Sequence, residues 1–462
     1  MPFQPVMLTT DALIFLLLVL LLGFAWYARR HDHLVAPWRR VGSSRTAMGA
    51  LVVIGFYVLI GLLDSVHFRL ATGEAENGDA RYSTEVHSLF DLIATPLREN
   101  SEKTYSAPFA THLYAKENIE LPDGRQVRDY PRLQHGGAHL PDPHRDAAGD
   151  IARLASIGVG LGLAPFVVLL LLRFRFDKLR LAQWWSDPLH GPGRTAAGVF
   201  LIMLVLGGMA ISLSSGYHIL GTDKVGEDVF YQALKSIRTG LVIGTLTTLV
   251  MLPAAILLGI MAGYFRGWVD DVIQYLYTTL SSVPGVLLIA AAVLMMQIYM
   301  SNHQEEFNSL TERADTRLLF LCLILGVTSW TGLCRLLRGE ALKLRQLEYV
   351  QAAQAFGVSH FKVLLRHVLP NVMHIVLIVV VLDFSGLVLA EAVLSYINIG
   401  VDPNTNSWGN MINSARLELA REPVVWWSLL AAFVFMFALV LAANLFSDVV
   451  RDAFDPRLRE RS

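Results

Sequence analysis

Nine apolar runs punctuate the chain, at about 12–28, 46–66, 157–172, 195–215, 241–265, 272–300, 318–337, 372–394 and 424–446, with polar segments between them. A bilayer core of about 30 Å takes about 20 residues of helix, with tolerance for tilt. Each run therefore predicts a membrane-spanning helix, the first and third being the shortest. Pro253 and the Val283-Pro284 pair interrupt the fifth and sixth runs, where they loosen the backbone ladder. Two polar stretches exceed what a connecting turn needs. Residues 69–150, rich in charge, Gly and Pro, predict a small extracytoplasmic domain or an ordered loop; residues 335–371 predict structure at a membrane exit.

Composition agrees with this pattern. Of 462 residues 54% are hydrophobic and 17% charged, too apolar for an ordinary soluble domain, so the chain reads as an all-α polytopic membrane protein. The leader MPFQPVMLTTD carries no Lys or Arg, whereas a cleaved signal begins with a cationic stretch; a retained helix with its N-terminus outside is expected. On that topology Arg and Lys number 21 in the inner connections and 7 in the short outer ones. The positive-inside rule then makes the C-terminus cytoplasmic. A net charge of −1 provides no basic field for nucleic acid. Cys322 and Cys334, both in the seventh run, predict buried free thiols.

Catalytic signatures are missing from the sequence. There is no G-x-x-x-x-G-K-[ST] phosphate loop, nor any Gly-Lys dipeptide, and no G-x-S-x-G, H-E-x-x-H or C-x-x-C. The expectation is no enzyme, no ATPase site and no cofactor. His135, His139 and His144 lie near Asp142 and Asp146 in HGGAHLPDPHRD, residue types that bind metals; spaced by Gly and Pro in a solvated loop, they read as surface residues and predict no metal site.

The stretch YVQAAQAFGVSHFKVLLRHVLPN, 349–371, falls on the side assigned to the cytoplasm. VQAAQAF favours a short helix, Gly357 a left-handed turn, and SHFKVLLRHV a second helix capped by Ser359 and stopped by Leu369-Pro370. Small Ala352 and Ala353 admit a partner's surface, and Val363, Leu364 and Val368 predict an apolar stripe.

This stretch resembles the EAA loop of permease subunits in binding-protein-dependent ABC importers, with Gln351 where the motif often has Glu. LGTDKVGEDVF at 220 is similar to the G-T-D-x-x-G-R-D-V element of the dipeptide, oligopeptide and nickel branch, with Glu227 in place of Arg. AEAVLSYINIGVDPNTNSWGNM at 390 resembles the branch's segment leaving the penultimate span, with departures at Tyr396, Asn398 and Asn404, and NLFSDVVRDAFDPRLR at 444 resembles its terminal signature. The likeness covers about 221–459 and is to the second permease subunit type. It implies a type I permease core of six helices at 195–462 with a coupling loop at about 335–371, preceded by an extension at 1–194 of three spans and the outer segment.

By the same resemblance, Gln351, Ala352, Ala353, Gly357, Leu369 and Pro370 would form the ATPase-coupling loop. Gly221, Thr222, Asp223, Gly226 and Asp228 would form an outer-face motif, where carboxylates cap a helix start. Asp383 and Glu391 in the eighth run would line the path or join helices, because charges at membrane depth face polar surroundings. Implied partners are a homologous permease, two cytoplasmic ATPases and an extracytoplasmic binding protein, in the bacterial inner membrane, with di- or oligopeptides as cargo. A nickel importer, a stand-alone secondary transporter and a membrane-anchored sensor are the alternatives.

Overall fold

The computed structural model describes residues 3–30, 32–74, 80–120, 126–174, 184, 187, 190–307 and 309–454. Nine helices among them are long and apolar enough to cross a membrane, making the chain an all-α polytopic membrane protein. Strand β1 (Phe3–Val6) leads into α1 (Thr9–Ala28), α2 (Asp32–Ser43) and α3 (Arg45–Asp64). The polar segment after α3 follows: β2 (His67–Glu74), β3 (Ala80–Tyr82), β4 (His87–Ser88), α4 (Leu89–Ile93), α5 (Thr95–Glu99), β5 (Glu117–Glu120) and β6 (Gln126–Asp129). Then come α6 (Pro143–Phe174), α7 (Gly191–Ser214), α8 (Val229–Phe265), α9 (Gly267–Ser282), α10 (Gly285–Asn302) and α11 (Leu310–Leu344). The C-terminal part holds α12 (Glu348–Ala355), α13 (His360–Val363), a π turn (Leu364–Val368), α14 (Leu369–Tyr396), α15 (Trp408–Glu418) and α16 (Trp427–Phe454).

The first and third predicted spans form in full, as α1 and α6. The sixth run does not make one helix. Val283 (ψ 132°) and Pro284 (ψ 117°) are extended between α9 and α10, since proline lacks an N–H and pushes its predecessor out of the helical region. Pro253, by contrast, lies inside an unbroken α8.

Internal contacts divide the chain into two compact units. One takes in the chain up to Met7, Arg39–Thr239 and Asn406–Phe446; the other takes in Leu8–Trp38, Gly240–Thr405 and the chain from Ser447. In the first, β2 pairs antiparallel with β1 (Phe3↔Leu70, Val6↔His67), with β3 and with β4, while β5 and β6 form a separate hairpin. The indoles of Trp408 and Trp427, each 1% exposed, donate to the carbonyls of Ala233 (3.0 Å) and Thr222 (2.9 Å). In the second unit one core cluster joins Met251, Ile273, Leu333, Leu337, Val350, Val363, Val368 and Val372. Another joins Val242, Leu246, Val293, Leu318 and Leu325. Cys322 and Cys334 are free and buried.

Candidate functional site

The loop between α11 and α14 is a knob of two short helices. α12 ends at Ala355 with Phe356 as its C-cap, and Gly357 turns the chain with φ +73°, a left-handed conformation that costs a side-chain-bearing residue about 1–2 kcal/mol. An added Cβ there would meet nothing within 4 Å, so the demand comes from the backbone alone. α13 follows, but Ser359 makes no side-chain cap; its carbonyl accepts the Val363 N–H at 3.0 Å.

Leu369-Pro370 does not stop the helix either. The π turn at Leu364–Val368 carries the helix into α14, and Pro370 occupies that helix's first turn, where a missing N–H costs little. The apolar stripe faces inward. Val363 and Val368 are fully buried in the chain's own core, with Val350, and Leu364 and Ala353 pack half-buried against it.

The surface left outward is a different one. Phe356 is 88% and Phe361 72% exposed, flanked by exposed Gln351, Ala352 and Leu365. These two aromatics were missed by reasoning from pattern; the signal available was a pair of bulky side chains on either side of the turn glycine. The buried Tyr264, at the end of α8, holds both knob helices: its hydroxyl accepts from Gln354 Nε2 (3.0 Å) and bonds His360 Nδ1 (2.8 Å). At the other end Asn371 Nδ2 donates to Tyr349 Oη (3.1 Å) and to the His367 carbonyl (2.6 Å).

The motif at 221–228 is a socket for the segment that precedes it. Gly226 (φ +83°) lies so close to the Glu102 carbonyl that a Cβ would sit 1.7 Å from it, and Gly221 (φ +69°) likewise abuts Ser106. Thr222 Oγ1 donates to the Thr104 carbonyl (2.8 Å) and accepts the Ser106 N–H (2.7 Å). Asp223 Oδ1 accepts the N–H groups of Val225 and Glu227, and Asp228 Oδ1 caps α8 through the Tyr231 N–H (3.0 Å). Asp228 Oδ2 holds His218 Nδ1 at 2.8 Å, and Glu102 Oε1 lies 3.5 Å from His218 Nε2. Among the histidines noted in the outer segment, His139 bonds Asp150 at 2.7 Å, and the side chain of His144 lies outside the described residues. The terminal signature is described only to Phe454, its last residues lying outside the described part.

Burial works against the charge on His218, but its bonds to Asp228 and Glu102 outweigh it and raise the imidazole from 6.5 to about 9. Burial also opposes ionisation of Glu102, yet His218 and the amides of Gln134, His135 and Gly136 hold it at about 2. A raised base stabilises the fold fully below 6.5 and loses that contribution as pH passes about 9; a lowered acid stabilises it above 4.5 and loses that contribution toward about 2. The outer segment should thus be most stable between these inner limits. Tryptophan-monitored thermal unfolding is expected to shift down as pH rises through about 9, and by less in Glu102→Gln. A midpoint that stays level through that range would refute the coupling.

Glu391 is 1% exposed and accepts Ser395 Oγ at 2.7 Å, one helical turn on. Asp383 is half-buried. A further cluster joins residues that no local pattern connects. Lys235 of α8 is ion-paired with Asp91, and lies 3.5 Å from Asp64 at the end of α3. Tyr231 Oη donates to Asp91 (2.6 Å) and Ser88 Oγ to Asp64 (2.6 Å).

Residues 255–460 match the family described as binding-protein-dependent transport system inner membrane component. The glutathione transport system permease protein GsiD of Pectobacterium atrosepticum is 31% identical over 320 residues, 64% of this chain and 97% of that protein. The dipeptide transport system permease protein DppC of Lactococcus lactis is 29% identical over 243 residues, 53% of this chain and 65% of that one. The oligopeptide transport system permease protein OppC of Mycobacterium tuberculosis is 31% identical over 242 residues, covering 52% and 77% respectively.

Proposed function

Because the chain belongs to the inner membrane components of binding-protein-dependent transport systems, we propose that it couples ATP binding by separate cytoplasmic ATPases to the passage of small peptides. It pairs with a second, homologous permease and receives cargo from an extracytoplasmic binding protein. In this reading residues 195–462 are the permease core and 1–194 an accessory extension. The core sits in a bacterial inner membrane with the knob and C-terminus in the cytoplasm and the N-terminus outside.

The observation that carries the coupling is the knob: a polar, exposed helix pair with Phe356 and Phe361 at its tip, pinned to α8 by Tyr264. Large aromatics exposed together beside a turn suit insertion into a partner's cleft, where such side chains supply most of the binding energy. The fixed link to the α8 and α14 helices would convey the partner's movement to the membrane part. Peptide cargo rests on the relatives named above, which are dipeptide, oligopeptide and glutathione permeases.

The test is uptake into vesicles holding the chain with its second permease, ATPases and binding protein. ATP-dependent entry of a dipeptide is expected, and absence of ATP-dependent uptake of di- and oligopeptides and of glutathione would refute the assignment. The two native cysteines being buried, single cysteines at Glu85 and Ser359 report orientation in the same preparation. An impermeant thiol reagent applied from outside should label only the first, and labelling at Ser359 would invert the topology.

A further inference from the structure

α14 carries a carboxylate where a membrane helix can least accommodate one. Asp383 lies 14 residues after Leu369 and 13 before Tyr396, about 20 Å of helix from either end, near the middle of a span. It is half-buried, and among the described residues it makes no hydrogen bond or ion pair. A charge at that depth requires a polar counterpart.

The surroundings narrow down what supplies it. Phe384 turns inward, its ring over Gly244 of α8. The helix neighbours of Asp383 at one turn's spacing are Val379, Val380, Gly386 and Leu387, with no polar group among them, so its own helix supplies no counterpart. Leu382, Gly386, Leu389 and Val393 recur at the spacing of a single helix face, all of them exposed. An added Cβ at Gly386 would meet nothing within 4 Å, so the chain itself leaves room there. An apolar stripe with a glycine at its centre and a single carboxylate at its edge matches the composition of a helix-packing surface in membranes, where small residues allow close approach and polar ones bond across.

We infer that this face of α14 docks a membrane helix of the second permease subunit, which approaches closely over Gly386 and presents a cationic hydrogen-bond donor to Asp383. The inference rests on the permease reading above. Asp383 is then a pairing determinant: a subunit without a donor at that depth leaves the carboxylate unmatched and is rejected.

The experiment co-expresses the chain with the second permease of its transport system and measures recovery of that permease with the tagged chain from detergent-solubilised membranes. Asp383→Leu removes the charge, and Gly386→Leu fills the open space without a clash inside this chain. Each is expected to lower recovery by about tenfold or more while the variant itself inserts at wild-type level. If the unaltered chain recovers no second permease, the permease assignment itself fails. If it does and both variants pair normally, this inference alone falls. Normal pairing with loss of uptake of peptides bearing a free amine in Asp383→Leu would make Asp383 a cargo contact and likewise overturn the interface.

Discussion

Gly357→Val is expected to cut co-purification of the ATPases about five- to thirtyfold and to reduce ATP-driven uptake with it, while insertion and permease pairing stay at wild-type level. The size follows from the backbone. At φ +73° a β-branched residue costs about 1–2 kcal/mol, and since no atom lies within 4 Å of the added Cβ, the strain has no packing clash to mask it. Every 1.4 kcal/mol is tenfold in affinity. The strained turn relaxes by re-aiming α13, which moves Phe361 relative to Phe356. A graded series separates this from a general loss of folding: Asn tolerates the left-handed region and should retain most activity, Ala should be intermediate and Val worst. Phe356→Asp, which leaves the turn untouched, should also lose the ATPases. Wild-type co-purification in both Gly357→Val and Phe356→Asp would reduce the knob to a connecting turn.

Lys235→Met should destabilise the protein by about 3–5 kcal/mol, because it strands two buried carboxylates. Asp64 and Asp91 are each 3% exposed and share the Lys235 ammonium, and the Arg238 guanidinium is a further positive charge acting on Asp64. Ser88 and Tyr231 donate hydrogen bonds to them but carry no charge. The triple change Lys235→Met, Asp64→Asn, Asp91→Asn should recover most of the loss, since neutral amides no longer need the counter-charge. Fluorescence-detected thermal unfolding in detergent measures both. Equal stability of Lys235→Met and wild type would mean that the cluster is solvated and carries little energy.

Some of this was visible in the chain and some was not, for identifiable reasons. The spans were legible because some twenty apolar residues in a row admit few alternatives. The turn at Gly357 was legible because glycine is the residue that enters the left-handed region cheaply. The knob's faces were not. α13 has four residues and runs into a π turn; a 3.6-residue period sets Val363 and Val368, five positions apart, on different faces, whereas the wider π turn brings both into the core.

The strands β5 and β6 escaped notice because they are short and polar, and β2 because it pairs with residues 3–6, which read as a leader to α1. Lys235, Asp64 and Asp91 are brought together over more than 140 residues, a distance at which sequence spacing carries no signal. The outer motif shows an intermediate case: its glycines stood out, but the carbonyls of Glu102 and Ser106 that require them are supplied by a segment more than a hundred residues earlier.

The interleaving of the two units has a consequence for biogenesis. The first unit is interrupted after Thr239 and resumes at Asn406, so the acceptors on Ala233 and Thr222 exist well before Trp408 and Trp427 are made. At about 5–20 residues per second, the ribosome takes about 10–30 s to cross that gap. Through that interval the nascent chain holds an unfilled indole socket beside helices already delivered to the bilayer, a state in which an insertase or membrane chaperone has a defined surface to shield and a protease a defined time in which to act.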